Sequence, residues 1–89
     1  MKAVITVIGK DTVGILAKVS AVCANYNANV TDVTQSIMQD LFAMIMMVDT
    51  NKLNGEFTDL SDELQELGKQ LNLKIHVMHE DIFNSMHRI

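Results

Sequence analysis

Leu41-Phe42-Ala43-Met44-Ile45-Met46-Met47-Val48 is apolar at all eight positions. A run this short suits a β-strand, and continuous rather than alternating hydrophobicity means that both faces of the strand need cover. Such a strand belongs in the middle of a sheet. Lys2-Ala3-Val4-Ile5-Thr6-Val7-Ile8, ended by Gly9, reads the same way, since it is apolar and rich in β-branched side chains. These first and third strands set the frame.

Working outward from them, Val30 to Met38 alternates in a mostly polar manner, as a half-exposed or edge strand does, and Gln39-Asp40 joins it to the third strand by a tight turn. Between the first and second strands, Ile15, Val19, Val22 and Tyr26 recur at helical spacing. Leu16 and Cys23 widen that stripe, Asp11 or Thr12 caps its start, and Asn25 to Asn29 supplies turn residues. Beyond the third strand, Asp49 to Gly55 reads as loop. Leu60, Leu64, Leu67 and Leu71 then share one face of a second helix, capped by Thr58 or Asp59 and ending near Asn72. Leu73, Ile75 and Val77 alternate with Lys74, His76 and Met78, a fourth strand with one buried face.

The order βαββαβ, closed by right-handed crossovers, predicts an α+β domain of the ferredoxin-like kind: a four-stranded antiparallel sheet with two helices on one face. No proline, low-complexity segment or change of composition marks a linker, so residues 1–89 are expected to form one domain. Residues 81–89 read as a short amphipathic tail, with Ile82, Phe83, Met86 and Ile89 following a cap at Asp81.

Composition narrows the function. A chain of 89 residues has a thin core, and seven Met fill volume that rings and branched chains usually take. Apolar surface beyond what that core hides calls for a partner, which favours an oligomer. With a net charge of −4 and no basic run, the chain is not expected to bind nucleic acid, whose affinity comes from clustered Lys and Arg. The first strand has no aromatic residue and the third only Phe42, so a base-stacking platform is missing. The single cysteine, Cys23, fits a reducing compartment and a buried, inert role, and the N-terminal apolar stretch is too short for a membrane span and lacks a cleavage site. A cytoplasmic protein with no membrane partner is expected.

Chemistry is equally thin. The loop between the first strand and first helix has no CxxC pair. His76 and His79 are three apart on a strand and diverge, His87 lies in the tail, and Met44, Met46 and Met47 read as core or interface filler. Asp59, Asp62, Glu63 and Glu66 read as a solvated helix face, and no Ser, Cys or Lys has an evident base beside it. Neither a metal, a cofactor nor a catalytic residue is expected. What remains is Gly9-Lys10-Asp11-Thr12-Val13-Gly14-Ile15. Two glycines allow close approach of backbone to a ligand, and the free N–H groups of a helix start suit a carboxylate. Lys10 adds positive charge and Asp11 can hold an ammonium group, so an α-amino acid matches both. The same residues also have a purely structural reading, with Gly9 ending the strand, Asp11 or Thr12 capping the helix and Gly14 permitting close packing.

Thr6-Val7-Ile8-Gly9-Lys10-Asp11-Thr12-Val13-Gly14-Ile15-Leu16-Ala17, Asn29-Val30-Thr31-Asp32-Val33 and Met38-Gln39-Asp40-Leu41-Phe42-Ala43-Met44 together resemble the ACT domain family, small regulatory modules that bind amino acids and related metabolites. More narrowly, the chain is similar to stand-alone bacterial ACT proteins of about ninety residues. Where the family loop often reads Asp-Arg-Pro-Gly, this chain has Asp11-Thr12-Val13-Gly14. The resemblance implies a homodimer with its ligand between the loop and helix start of one subunit and the second strand of another. By position it implicates Gly9, Asp11, Val13, Gly14, Ile15 and Asn29, with Lys10 and Thr12 in the same loop. It implies a sensor and not an enzyme. A structural interaction module without a ligand is the alternative.

Overall fold

Six elements follow one another: β1 (Lys2–Lys10), α1 (Ile15–Asn25), β2 (Asn29–Met38), β3 (Leu41–Asp49), α2 (Phe57–Leu71) and β4 (Lys74–His79). They come from a computed structural model that describes residues 2–10 and 13–82. All pairings are antiparallel and the strand order is β2-β3-β1-β4, so the two strands with continuous apolar sequence are the central ones. The two helices cover one face, as the ferredoxin-like reading requires. β1 runs through Gly9 to Lys10, two residues past its expected end, because Gly9 and Lys10 pair with Phe42 and Leu41.

The core lies between that face and the helices. Ala3, Ile5 and Val7 of β1 and Phe42, Met44, Met46 and Val48 of β3 pack against Ile15, Val19 and Cys23 of α1 and Leu60 and Leu64 of α2. Fully burying a side chain of this kind contributes about 1.5–3 kcal/mol. Leu16 was expected to widen the α1 stripe but is exposed.

β2 reads as mostly polar for a geometrical reason. Val30 sits opposite Val48, yet Asp32 sits opposite Met47, so Thr31 is an extra residue in a bulge. Before the bulge even-numbered residues face the helices and after it odd-numbered ones do, which lets both Val30 and Val33 pack on the core. The Thr31 hydroxyl donates to the Met47 carbonyl at 3.2 Å, tying the bulge to β3.

Three caps differ from expectation. The N-cap of α1 is Gly14, in the left-handed region with φ 82, and among the described residues no side chain caps that end. Asp11 and Thr12, the expected caps, lie outside the described residues. The N-cap of α2 is Glu56 rather than Thr58 or Asp59: the Glu56 side chain accepts from the N3 backbone, and the Glu56 N–H donates to Asp59 Oδ2 at 3.3 Å. Asn72 ends α2 as expected, in the left-handed region. After β4, Glu80 to Ile82 is helical, and His79 rather than Asp81 caps the turn, its Nδ1 accepting the Asp81 N–H at 3.3 Å. Phe83, Met86, His87 and Ile89 of the expected tail lie outside the described residues. Among the described residues, no helix is long and apolar enough to cross a membrane.

Candidate functional site

The start of α1 holds one of the positive-φ residues among those described, Gly14. The first helical hydrogen bond runs from the Lys18 N–H to the Gly14 carbonyl at 3.0 Å, so the N–H groups of Ile15, Leu16 and Ala17 precede the helical ladder and, among the described residues, meet no capping side chain. Gly14 holds a φ that other residues adopt at a cost, and a Cβ there would find no atom within 4 Å. The glycine is there for conformation and faces open space.

That space is a cavity of about 250 Å³ lined by Val13 to Ala17 of the loop and helix start, by Gln35 and Ile37 of β2, and by Phe42 of β3. Its walls are mainly apolar, and Gln35 brings the one side-chain amide. Val13 is 96 % exposed and Ile37 59 %, unusual values for branched aliphatic residues. Gln35 and Ile37 were not singled out from the sequence. The signal was Ile37 itself, a large apolar residue in a mostly polar strand, but the bulge at Thr31 hides which face it takes.

The other residues of the expected site separate. Gly9 is explained by packing, since a Cβ there would collide with the Leu73 side chain. Lys10 ends β1 as an exposed residue opposite Leu41. Asp11 and Thr12 lie outside the described residues. Asn29 pairs with Asp49, which pairs with Lys2, so it sits at the opposite end of the sheet from Gly9. The seven residue steps from Lys2 to Gly9 put about 23 Å between the two ends. There Asn29 lines a separate polar cavity of about 270 Å³ with Asn27, Asp49, Asn51 and Lys52. Within one chain, Asn29 and the helix start cannot share a small ligand.

The remaining reactive groups are spoken for. His76 pairs with Thr6 and His79 with Ala3, residues of opposite faces of β1, so the two imidazoles diverge as strand geometry demands. Among the described residues, no three His, Cys, Asp or Glu side chains come together as metal ligands. Cys23 is buried against the core, and burial pushes its thiol up to about 11 from 9.0. Met44 and Met46 are core residues, and Met47 is half-buried on the other face.

The βαββαβ order and the four-stranded antiparallel sheet with both helices on one face define a ferredoxin-like α+β domain, whose first helix starts beside a small apolar cavity. The sequence profile of the ACT domain matches residues 2–78, and the chain belongs to that family. It is 50% identical over 86 residues to a UPF0237 protein of the archaeon Methanococcus maripaludis, covering 97% of this chain and 96% of that one. A UPF0237 protein of Listeria innocua is 48% identical over 89 residues and 100% of both chains. Relatives thus occur in archaea as well as bacteria. Among solved structures, an ACT domain protein from Streptococcus pneumoniae superposes with a TM-score of 0.80 at 38% identity, covering 93% of each chain.

Proposed function

We propose that this protein is a regulatory module that binds an amino acid or a related small metabolite at a boundary between two subunits of a homodimer, and that it is not an enzyme. ACT domains are regulatory ligand-binding modules. The observation that carries the reading here is the α1 start at Gly14, which no described side chain caps and which opens on the cavity formed with Gln35, Ile37 and Phe42.

The ligand's carboxylate meets the N–H groups of Ile15, Leu16 and Ala17, where the partial positive charge of the helix start stabilises an anion. Its side chain enters the apolar cavity. Asp11 holds the ammonium group, Lys10 precedes it at the end of β1, Thr12 follows it in sequence, and Asn29 comes from the partner subunit. Ligand binding then shifts the population of assembled states. The cytoplasm is the expected setting.

A screen of thermal stability against the common amino acids and nucleobases tests this. A ligand at a hundred times its dissociation constant stabilises by about 2.7 kcal/mol, an upward shift of about ten degrees or more for a domain of this size. The Gly14→Leu variant keeps its fold and loses that shift. If no compound in the screen raises the melting temperature, the alternative stands, a structural interaction module, which the exposed Ile8, Leu41 and Ile45 on the helix-free face favour.

A further inference from the structure

The sheet has two open edges, and they differ in charge. β2, on one side, carries a single charged residue, Asp32, between Asn29 and Met38. β4, on the other, is six residues long and pairs along one side with β1, and among the described residues no strand lies beyond it. Alternate residues of such a strand present their N–H and C=O groups outward, a row that another extended chain matches.

Lys74 and His76 are exposed on the helix-free side of that edge, opposite Ile8 and Thr6 of β1. Lys69, exposed in the last turn of α2, stands on the helix side. The two lysines therefore flank the strand instead of converging, and both adjoin a groove of about 210 Å³ with Gln65, Leu73, Ile75 and His76. That groove has no carboxylate among its lining residues, in a chain with eleven Asp and Glu. Among the described residues neither lysine is held in an ion pair. The Leu73 N–H donates to the Gly68 carbonyl at 2.7 Å, so the end of α2 fixes the start of β4. At the far end His79 is already engaged, its Nδ1 accepting the Asp81 N–H.

We propose that the β4 edge takes an extended acidic segment of a partner protein as a fifth strand. Main-chain hydrogen bonds to β4 supply the pairing, as in other cases of strand addition. Side chains of an added strand alternate between its two sides. A segment alternating acidic and apolar residues sets its acids beside Lys74 and His76 and its apolar side chains toward Leu73 and Ile75, while Lys69 adds positive potential from the helix side. A second copy fits less well, because its own β4 brings like charge against like. The edge is independent of the α1 cavity, so either can serve without the other.

The test uses two short capped peptides as probes, one alternating valine with glutamate and the other valine with lysine, each added to the full chain. The chain is acidic overall and repels the glutamate peptide at long range, so binding of that peptide reports the local edge. Saturable amide shifts at Lys74 to Val77 are expected, with hydrogen exchange of alternate β4 amides slowed about tenfold or more, because a new strand occupies them. Lys69→Glu with Lys74→Glu, both exposed, weakens the glutamate peptide about tenfold or more and admits the lysine peptide. Lys18→Glu with Lys52→Glu makes the same change of net charge and leaves the affinity within about twofold. Equal affinity for the two peptides, shifts without slowed exchange, or equal weakening by the two pairs of substitutions overturns the proposal. Growth of the chain into larger assemblies that exclude the peptide also overturns it, since the occupant is then the β2 edge of another copy.

Discussion

A Cβ on Gly9 would run into the Leu73 side chain, while one on Gly14 would meet open space, so the two glycines of the loop answer to different constraints. Gly9→Ala overpacks the junction of β1 and β4 and costs about 1–3 kcal/mol. Leu73→Ala in the same chain makes room, and the double variant loses less than the sum of the single ones by about 0.5 kcal/mol or more, read from urea midpoints. Additive losses would mean that Leu73 is not what excludes a side chain at position 9. Gly14→Leu instead forces a left-handed backbone on a branched residue, about 1–2 kcal/mol of strain with no collision. Neither distinction is legible in the sequence, where both are simply glycines near a helix start. Cys23 was legible as a buried, inert thiol. Its folded pKa, up to about 11, lies above the ordinary 9.0, so burial contributes stability below about pH 9 that is lost as pH rises through 11. Alkaline loss of stability over that window is therefore smaller in Cys23→Ala than in the parent chain, measured as the urea midpoint against pH.

At the scale of elements, every strand and helix was legible because hydrophobic period decides them, and the errors fell at their ends. The cap rule pointed to Thr58 or Asp59 since both residue types favour that position, yet Glu56 holds it, in a reciprocal arrangement with Asp59 three residues on. Glu56→Ala is expected to cost about 0.5–2 kcal/mol and Thr58→Ala less than about 0.5 kcal/mol, since Thr58 is exposed and has no part in the cap. Equal losses in urea unfolding would return the cap to Thr58. The bulge at Thr31 is the other hidden feature. One inserted residue exchanges the faces of a strand. The sequence shows only weak alternation there, and so Gln35 and Ile37 escaped the site, while Asn29, on the far side of the bulge, entered it through the family resemblance alone.

The whole molecule decides whether Asn29 belongs to the site at all. One chain keeps it about 23 Å from the helix start, so the expected ligand contacts require a second copy. β2 is an edge strand of ten residues with one side unpaired. Antiparallel pairing of two β2 strands about Val33 brings the Asn29 end of the partner strand alongside the Ile37 end of this one, the approach that a two-subunit site requires. The helix-free face offers a rival interface. Val4 is fully buried there between Met47 and Met78, while Ile8, Leu41 and Ile45 are each 39% exposed or more. The two geometries differ in what single substitutions do. We expect a dimer in sedimentation at micromolar concentration that persists in Ile45→Lys, with Asn29→Ala weakening whatever ligand the thermal screen finds by about tenfold, the loss of one good polar contact. If Ile45→Lys yields a monomer and Asn29→Ala leaves the ligand's affinity unchanged, the face is the interface and Asn29 is a turn residue. A parent chain that sediments as a monomer would overturn both arrangements, and with them the two-subunit site.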